Sequence, residues 1–160
     1  MKTQNQNSVK DETQSCQMAV SGSVMASELR IGNFVNVPRK DQSPFRIDAF
    51  ECLSKKFIKV AMIHPEYGEN FHPLTWYGDD LKPIPLTEEW LLKLGAIEEM
   101  LGHFLLDRFQ LIWKESYNYW YIIDRYNACY YSKVEFVHEW QNLYFALNGS
   151  DLTIGCLTDH

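Results

Sequence analysis

The sequence predicts an α+β chain: a small β-rich N-terminal half, SH3-like or a curled sheet, then a helix, a β-meander and a C-terminal helix. Three observations carry this. Four short runs of strand pattern fall between Phe34 and Tyr77, with Gly, Pro, Asn and Asp between them. Residues 83–95, PIPLTEEWLLKLG, hold a helix start, an apolar face and a stop. Beyond them, aromatic and β-branched runs give way to an apolar stripe of helical period.

Residues 1–24 are rich in Gln, Asn, Ser and Thr and lack any aromatic side chain. They cannot bury enough apolar area to offset ordering entropy, so a disordered tail or an upstream extension is predicted there. Met25-Ala26-Ser27 reads as an alternative start placed directly before the first patterned segment. A β-rich subdomain is assigned to residues 25–82. A helix–meander–helix subdomain packed on it is assigned to residues 83–160. Gly32-Asn33 supplies turn chemistry ahead of a strand at 34–37, which Pro38 stops. Residues 45–50 alternate cleanly and 57–63 partly, as half-buried strands do. A loop at 64–70 leads to a fourth strand at 74–77, closed by Gly78-Asp79-Asp80.

Leu86 precedes Thr87, a good N-cap, and is placed to staple onto Leu91. Glu88 and Glu89 lie in the first turn, where the helix dipole favours carboxylates, and Gly95 ends the helix. Strands are predicted at 104–106, 108–113 and 119–123, the last two joined by a hairpin turn at 116–118, with a further strand at 128–131. Phe136, Trp140, Leu143 and Leu147, spaced 4, 3 and 4, set a helix over 134–147. Asn148-Gly149 stops it, and Thr153-Ile154 is a candidate closing strand.

The 160 residues are 46% hydrophobic and 14% aromatic, enough for a real core, and the net charge is −6. That charge is uneven. Between Glu28 and Lys82 stand 8 basic and 8 acidic residues; from Pro83 onward 5 basic face 11 acidic, so this half carries the whole −6. A general polyanion binder is disfavoured, since phosphate contacts need Lys and Arg. Lys55, Lys56 and Lys59 leave room for a local basic patch in the first half. Cys16, Cys52, Cys129 and Cys156 make no CxxC pair and read as reduced thiols, with Cys52 and Cys129 as small core residues. No apolar run reaches about 18 residues and no signal-peptide h-region is visible, so a cytoplasmic location is predicted.

Catalytic motifs do not stand out. His64 and His72 flank one loop with Glu66 and Glu69 between them, the best metal candidate, but a solvated polar loop explains the same residues. His138 lacks a second helical His at i+4, which leaves a helix-cap or surface role. Asp79-Asp80, Glu88-Glu89 and Glu98-Glu99 are adjacent pairs, and catalytic carboxylates must instead converge across space. No GxSxG, P-loop or GxGxxG is present. No catalytic residue, metal or cofactor is assigned.

The aromatic excess is the one feature that points to a task. Tyr117, Tyr119, Trp120, Tyr121, Tyr126, Tyr130 and Tyr131 fall within fifteen residues. In a strand, Tyr119 and Tyr121 share one face while Trp120 and Ile122 share the other. One face is core, and the other offers Tyr side chains, which give large contact area at low entropy cost. A second layer of core under the final helix explains the same pattern. If the partner is a protein, Tyr119, Tyr121 and Tyr130 are the anchors. If it is a small nucleotide, Lys55, Lys56, Lys59, Arg46 or Arg108 would pair with phosphate while Tyr or Trp stacks on the base.

Three blocks, ELRIGN at 28–33, PIPLTEEWLLKLG at 83–95 and VHEWQNLYFALNG at 137–149, occur in that order. Together they resemble a family of small uncharacterised proteins carried by phages, prophages and mobile elements of gut bacteria. The resemblance implies a phage or mobile-element context and carries over no catalytic residue. It implies a non-enzymatic binding protein acting on a host component, such as counter-defence by binding a host protein or sequestering a nucleotide signal. A nucleic-acid-binding SH3-like module and a small nucleotide-cleaving enzyme using His64 or His72 are the alternatives, and a homo-oligomer stays open.

Overall fold

The computed structural model describes residues 24–37, 44–52, 58–63, 74–77 and 80–154. Two antiparallel sheets and two α-helices make up the described chain, so the mixed α+β character stands, with strands dominating. The first sheet is a four-stranded meander: β1 (Phe34–Asn36), β2 (Pro44–Cys52), β3 (Ile58–Ile63) and β4 (Leu74–Tyr77). The second is a five-stranded meander: β5 (Ile97–Met100), β6 (His103–Leu106), β7 (Phe109–Lys114), β8 (Tyr119–Asp124) and β9 (Cys129–Val134). Helix α1 (Glu88–Lys93) lies between the sheets in sequence and α2 (Val137–Asn148) follows them.

The helix α1 is short because its signals sit close together. Thr87 Oγ1 accepts the Trp90 amide at 3.3 Å. At the other end Gly95, at φ +90°, donates to Leu92 O while Ala96 donates to Leu91 O, both at 2.9 Å, which is a Schellman close that only a left-handed residue makes cheaply. Leu86 and Leu91 are both buried across the entry turn. In the second sheet, Phe104, Leu111 and Ile122 lie side by side by register, as do Trp113, Trp120 and Val134. These pack under Trp90, Leu91 and Leu94 of the α1 segment and Val137, Trp140 and Tyr144 of α2. Phe109 meets Trp140 and Tyr144 edge-on at 5.6 and 5.8 Å, and Phe104 meets Trp120 at 5.6 Å, the geometry aromatic quadrupoles favour.

β1 belongs to both halves. Phe34 enters the main core, 5.7 Å from the Trp90 ring, while Val35 and Val37 join Phe45, Ile47 and Leu81 in a smaller cluster. Gln141, 1% exposed on α2, fastens this strand: Oε1 accepts the Phe34 amide at 2.8 Å, and Nε2 donates to Gly32 O at 3.0 Å and Leu152 O at 3.3 Å. Asn142 adds Asn33 Nδ2 and Glu28 O as partners, and Arg30 pairs with Asp151. The approach to α1 is tied to the approach to α2 by Leu86 N to Glu135 O and Val137 N to Ile84 O. The segments 28–33, 83–95 and 137–149 thus meet at one junction.

Several expectations are corrected. Val24, assigned to the tail, is buried and its amide donates to Leu81 O at 3.2 Å; the rest of the predicted tail lies outside the described residues. β5 was not foreseen: its sequence IEEM is exposed throughout, as an edge strand can be. β9 runs on to Val134, and α2 starts only at Val137, with the Glu139 carboxylate accepting the Glu135 and Phe136 amides at 2.8 and 3.1 Å. Thr153 and Ile154 form no strand. Cys129 is exposed rather than core. His138 is 2% exposed, stacked on Phe136 at 5.9 Å, and serves neither as a cap nor at the surface.

Candidate functional site

Two features are candidates: the outer face of the five-stranded sheet, and a polar hollow at one end of it. The outer face is built by strand alternation. With Trp120, Ile122 and Asp124 buried against the helices, Tyr119, Tyr121 and Ile123 must face away. Register then places Ile97, Leu105, Gln110, Ile123 and Tyr130 in one row across all five strands. Met100, His103, Ile112 and Tyr121 form a second row, and Lys114 stands beside Tyr119 in a third. An antiparallel sheet with a solvated face normally alternates apolar-in, polar-out. Here only Gln110, His103 and Lys114 are polar in the three rows. Ile97 and Tyr130 are 68% and 67% exposed. Ring pairs order the surface: Tyr117 stacks on Tyr119 at 5.7 Å, and Tyr121 lies 5.8 Å from Tyr130. Lys114 Nζ is 6.0 Å from the Tyr121 ring. Glu99 takes hydrogen bonds from Gln110 and Arg125, so both charges at that margin are satisfied.

The hollow, about 470 Å³, is lined by Asp107, Arg108, Tyr126, Tyr144, Asn148 and Ser150. It is assembled from the β6–β7 turn, the β8–β9 turn and the end of α2. Asp107 adopts φ +51° to make the first turn. Asp124 makes the second: its Oδ1 accepts the Tyr126 and Asn127 amides at 2.9 and 3.2 Å, and Oδ2 accepts Asn127 Nδ2 at 2.7 Å. Arg108 crosses between the turns and the helix. Its Nε lies 3.2 Å from Asp124 Oδ2 and its Nη2 donates to Leu147 O at 3.3 Å, with the guanidinium over the Phe109 ring. The Tyr144 hydroxyl donates to Asp107 Oδ2 and also engages Asn148 and Ser150. Burial, with the Asp107 carboxylate second, pushes the Tyr144 hydroxyl above its ordinary value.

The sequence-assigned residues are therefore dispersed. Tyr119, Tyr121 and Tyr130 share the outer face. Arg108 is in the hollow, its charge engaged by Asp124. Arg46 stands exposed on β2, in the other sheet. Lys55, Lys56 and the Lys59 side chain, with His64 and His72, lie outside the described residues. Among the described residues no group of three His, Cys, Asp or Glu is placed to hold a metal. The hollow carries no local sequence signal, because its walls come from positions 107, 126 and 144–150, brought together only by the fold.

Two buried groups set an acid limit. Burial raises the Asp124 carboxyl, but the Asn127 side chain, the Asn127 and Tyr126 amides and the Arg108 charge together outweigh it, so it sits below its ordinary 3.8. Its contribution is complete above pH 3.8 and is lost as pH falls through the lower folded value. His138 sits below its ordinary 6.5 because burial opposes the imidazolium more than Glu139 and Glu28 favour it. Its neutral form supports the fold above pH 6.5, and that support falls away as pH drops toward the folded value. The melting temperature is expected to decline in two steps, the first below pH 6.5 and the second below pH 3.8. A scan of melting temperature against pH checks this; a His138→Gln variant should lose the first step and keep the second.

Comparisons with protein-family models, curated proteins and solved structures find no match for this chain.

Proposed function

We propose that the chain is a non-enzymatic binding protein of phage or mobile-element origin that docks a host protein on the outer face of its five-stranded sheet. One observation carries the reading: the face turned away from the helices is apolar and aromatic across all five strands, where a solvated antiparallel face would be polar. Tyr119, Tyr121 and Tyr130, with Ile97 and Ile112 around them, have the composition of a binding hot spot. Charge selects the partner's chemistry. The half of the chain that bears this face carries the whole net −6, so an apolar partner surface with a basic margin is the complementary one. Binding of that kind suits counter-defence in the cytoplasm of a bacterial host. A nucleotide on the same face would meet Lys114 beside Tyr119 and Tyr121, but Arg125 is paired with Glu99 and Lys133 with Glu135, so a clamp of several cations is not assembled among the described residues. The SH3-like, nucleic-acid-binding alternative rests on the first sheet and on Lys55 and Lys59, and no described contact favours it.

The test is native mass spectrometry of the chain purified from its host, repeated with Tyr119→Ala and Tyr121→Ala. A protein partner held at fixed stoichiometry, weakened about tenfold or more by each variant with the melting temperature preserved, is the expected result. A partner retained unchanged by both variants places binding elsewhere. Unfolding of both variants assigns the Tyr face to the core and ends the reading. A released passenger of nucleotide mass would replace it with sequestration.

A further inference from the structure

The hollow lies apart from the Tyr face, and its lining brings a carboxylate, Asp107, and a guanidinium, Arg108, to one opening. Arg108 is held by its ion pair with Asp124, in which Nε lies 3.2 Å from Oδ2 without making a hydrogen bond, and by Nη2 donating to Leu147 O; among the described residues Nη1 makes no hydrogen bond. Asp107 uses Oδ2 for the Tyr144 hydroxyl and keeps Oδ1 spare. The two tethers hold both groups in place before any ligand arrives, which lowers the ordering cost of binding. A phosphate at Arg108 would face the Asp107 carboxylate. A simple cation at Asp107 would face the Arg108 guanidinium. A ligand that carries both an ammonium and a carboxylate satisfies each group with its own partner. The end of α2 is engaged with Arg108, since Leu147 O accepts from Nη2, so the Asp107 carboxylate alone supplies the ammonium side. Ser150 and Asn148 line the same opening and are hydrogen-bonded to the Tyr144 hydroxyl. Tyr126, 83% exposed on the β8–β9 turn, offers an aromatic wall for a large side chain.

We propose that this hollow is a binding site for a small zwitterion of the free α-amino-acid class, with Asp107 receiving the ammonium, Arg108 the carboxylate and Tyr126 the side chain. The volume, about 470 Å³, accommodates an aromatic amino acid with its first waters. The site is independent of the sheet-face reading and stands or falls without it.

The experiment is a titration of the isotope-labelled full chain, read by amide chemical shifts, with three probes: L-phenylalanine, N-acetyl-L-phenylalanine and L-phenylalaninamide. The acetyl probe lacks the ammonium and the amide probe lacks the carboxylate. Saturable shifts at Asp107, Arg108, Tyr126 and Ser150 with L-phenylalanine, and affinity about tenfold or more weaker for both analogues, are expected. Tyr126→Ala, at a side chain 83% exposed, should weaken L-phenylalanine without moving the melting temperature; Asp107→Asn should abolish the difference between L-phenylalanine and its acetyl analogue. An equal response to the amide makes the site a cation site and overturns the proposal. An equal response to the acetyl probe makes it an anion site and does the same. Absence of any saturable shift up to roughly 10 mM overturns it outright.

Discussion

Replacing Gln141 by Met is expected to cost roughly 3–6 kcal/mol of folding stability, more than any other single polar-to-apolar change on the helix α2. The side chain is 1% exposed and satisfies three backbone groups at once: the Phe34 amide, the Gly32 carbonyl and the Leu152 carbonyl. Met fills the same volume without a donor or acceptor, so the shape survives while the buried Phe34 amide and Leu152 carbonyl and the part-buried Gly32 carbonyl lose their partner. Each such orphan costs about 1–3 kcal/mol. Gln141→Glu is expected to be no rescue, since it keeps the acceptor for Phe34, loses both donors and buries a charge beside two carbonyls. Asn142→Ala is the natural contrast. Asn142 also bonds across the junction, to Asn33 and Glu28, but it is half-buried and water can replace it, so about 1 kcal/mol is expected. Denaturant unfolding measures all three. Amide exchange adds a spatial reading: if the segment around β1 detaches by itself, the Phe34 amide loses protection before Leu111 and Ile122 do. A Gln141→Met cost below about 1 kcal/mol would show that α2 and β1 are held by apolar packing alone.

Gln141 also shows where reading the sequence stops. A glutamine in a helix is taken for a surface residue, and the stripe of Trp140, Leu143 and Leu147 was visible without it. Its burial depends on a strand more than a hundred residues away, whose amide and neighbouring carbonyl need a partner of both polarities. His138 was misplaced for the same reason: local pattern gives the helix and not what covers it. The edge strand β5 was missed because IEEM has no alternation of burial to detect. By contrast α1 was legible to within a residue, because Thr87, Glu88, Glu89, Leu91 and Gly95 act within one short stretch. The two-faced character of β8 was legible too, since alternation is a property of a single strand. What no strand reveals alone is that its neighbours' outward residues are also apolar. That follows only from register, which lines up Ile97, Leu105, Ile123 and Tyr130, with Gln110 of β7 as the one polar member of the row. The polar hollow, built from two separated turns and the end of α2, had no signature at all beyond the lone Arg108.

Trp120→Phe carries the second large effect, expected at roughly 2–4 kcal/mol, because Trp120 joins the sheet to the chain that introduces α1. Its indole Nε1 donates to Leu86 O at 2.6 Å, and its ring lies edge-on to Phe104 and 5.2 Å from Trp113. Pro83 and Pro85 cannot donate along this approach, so its carbonyls must be satisfied from outside. Leu86 O finds the indole, while Leu86 N and Ile84 O use the chain just before and at the start of α2. Phe at position 120 removes the donor and one ring, leaving a buried carbonyl and a small void. Trp113→Phe is the control: Trp113 is half-buried, its indole has no such partner in the hydrogen bonds that fix α1, and under about 1 kcal/mol is expected. If the two substitutions cost the same, the loss belongs to ring volume and not to the Leu86 bond. If Trp120→Phe is several-fold the costlier, the bond fixes α1 on the sheet, and the outer Tyr119–Tyr121 face, one residue to either side, should remain available for its partner in every variant that still folds.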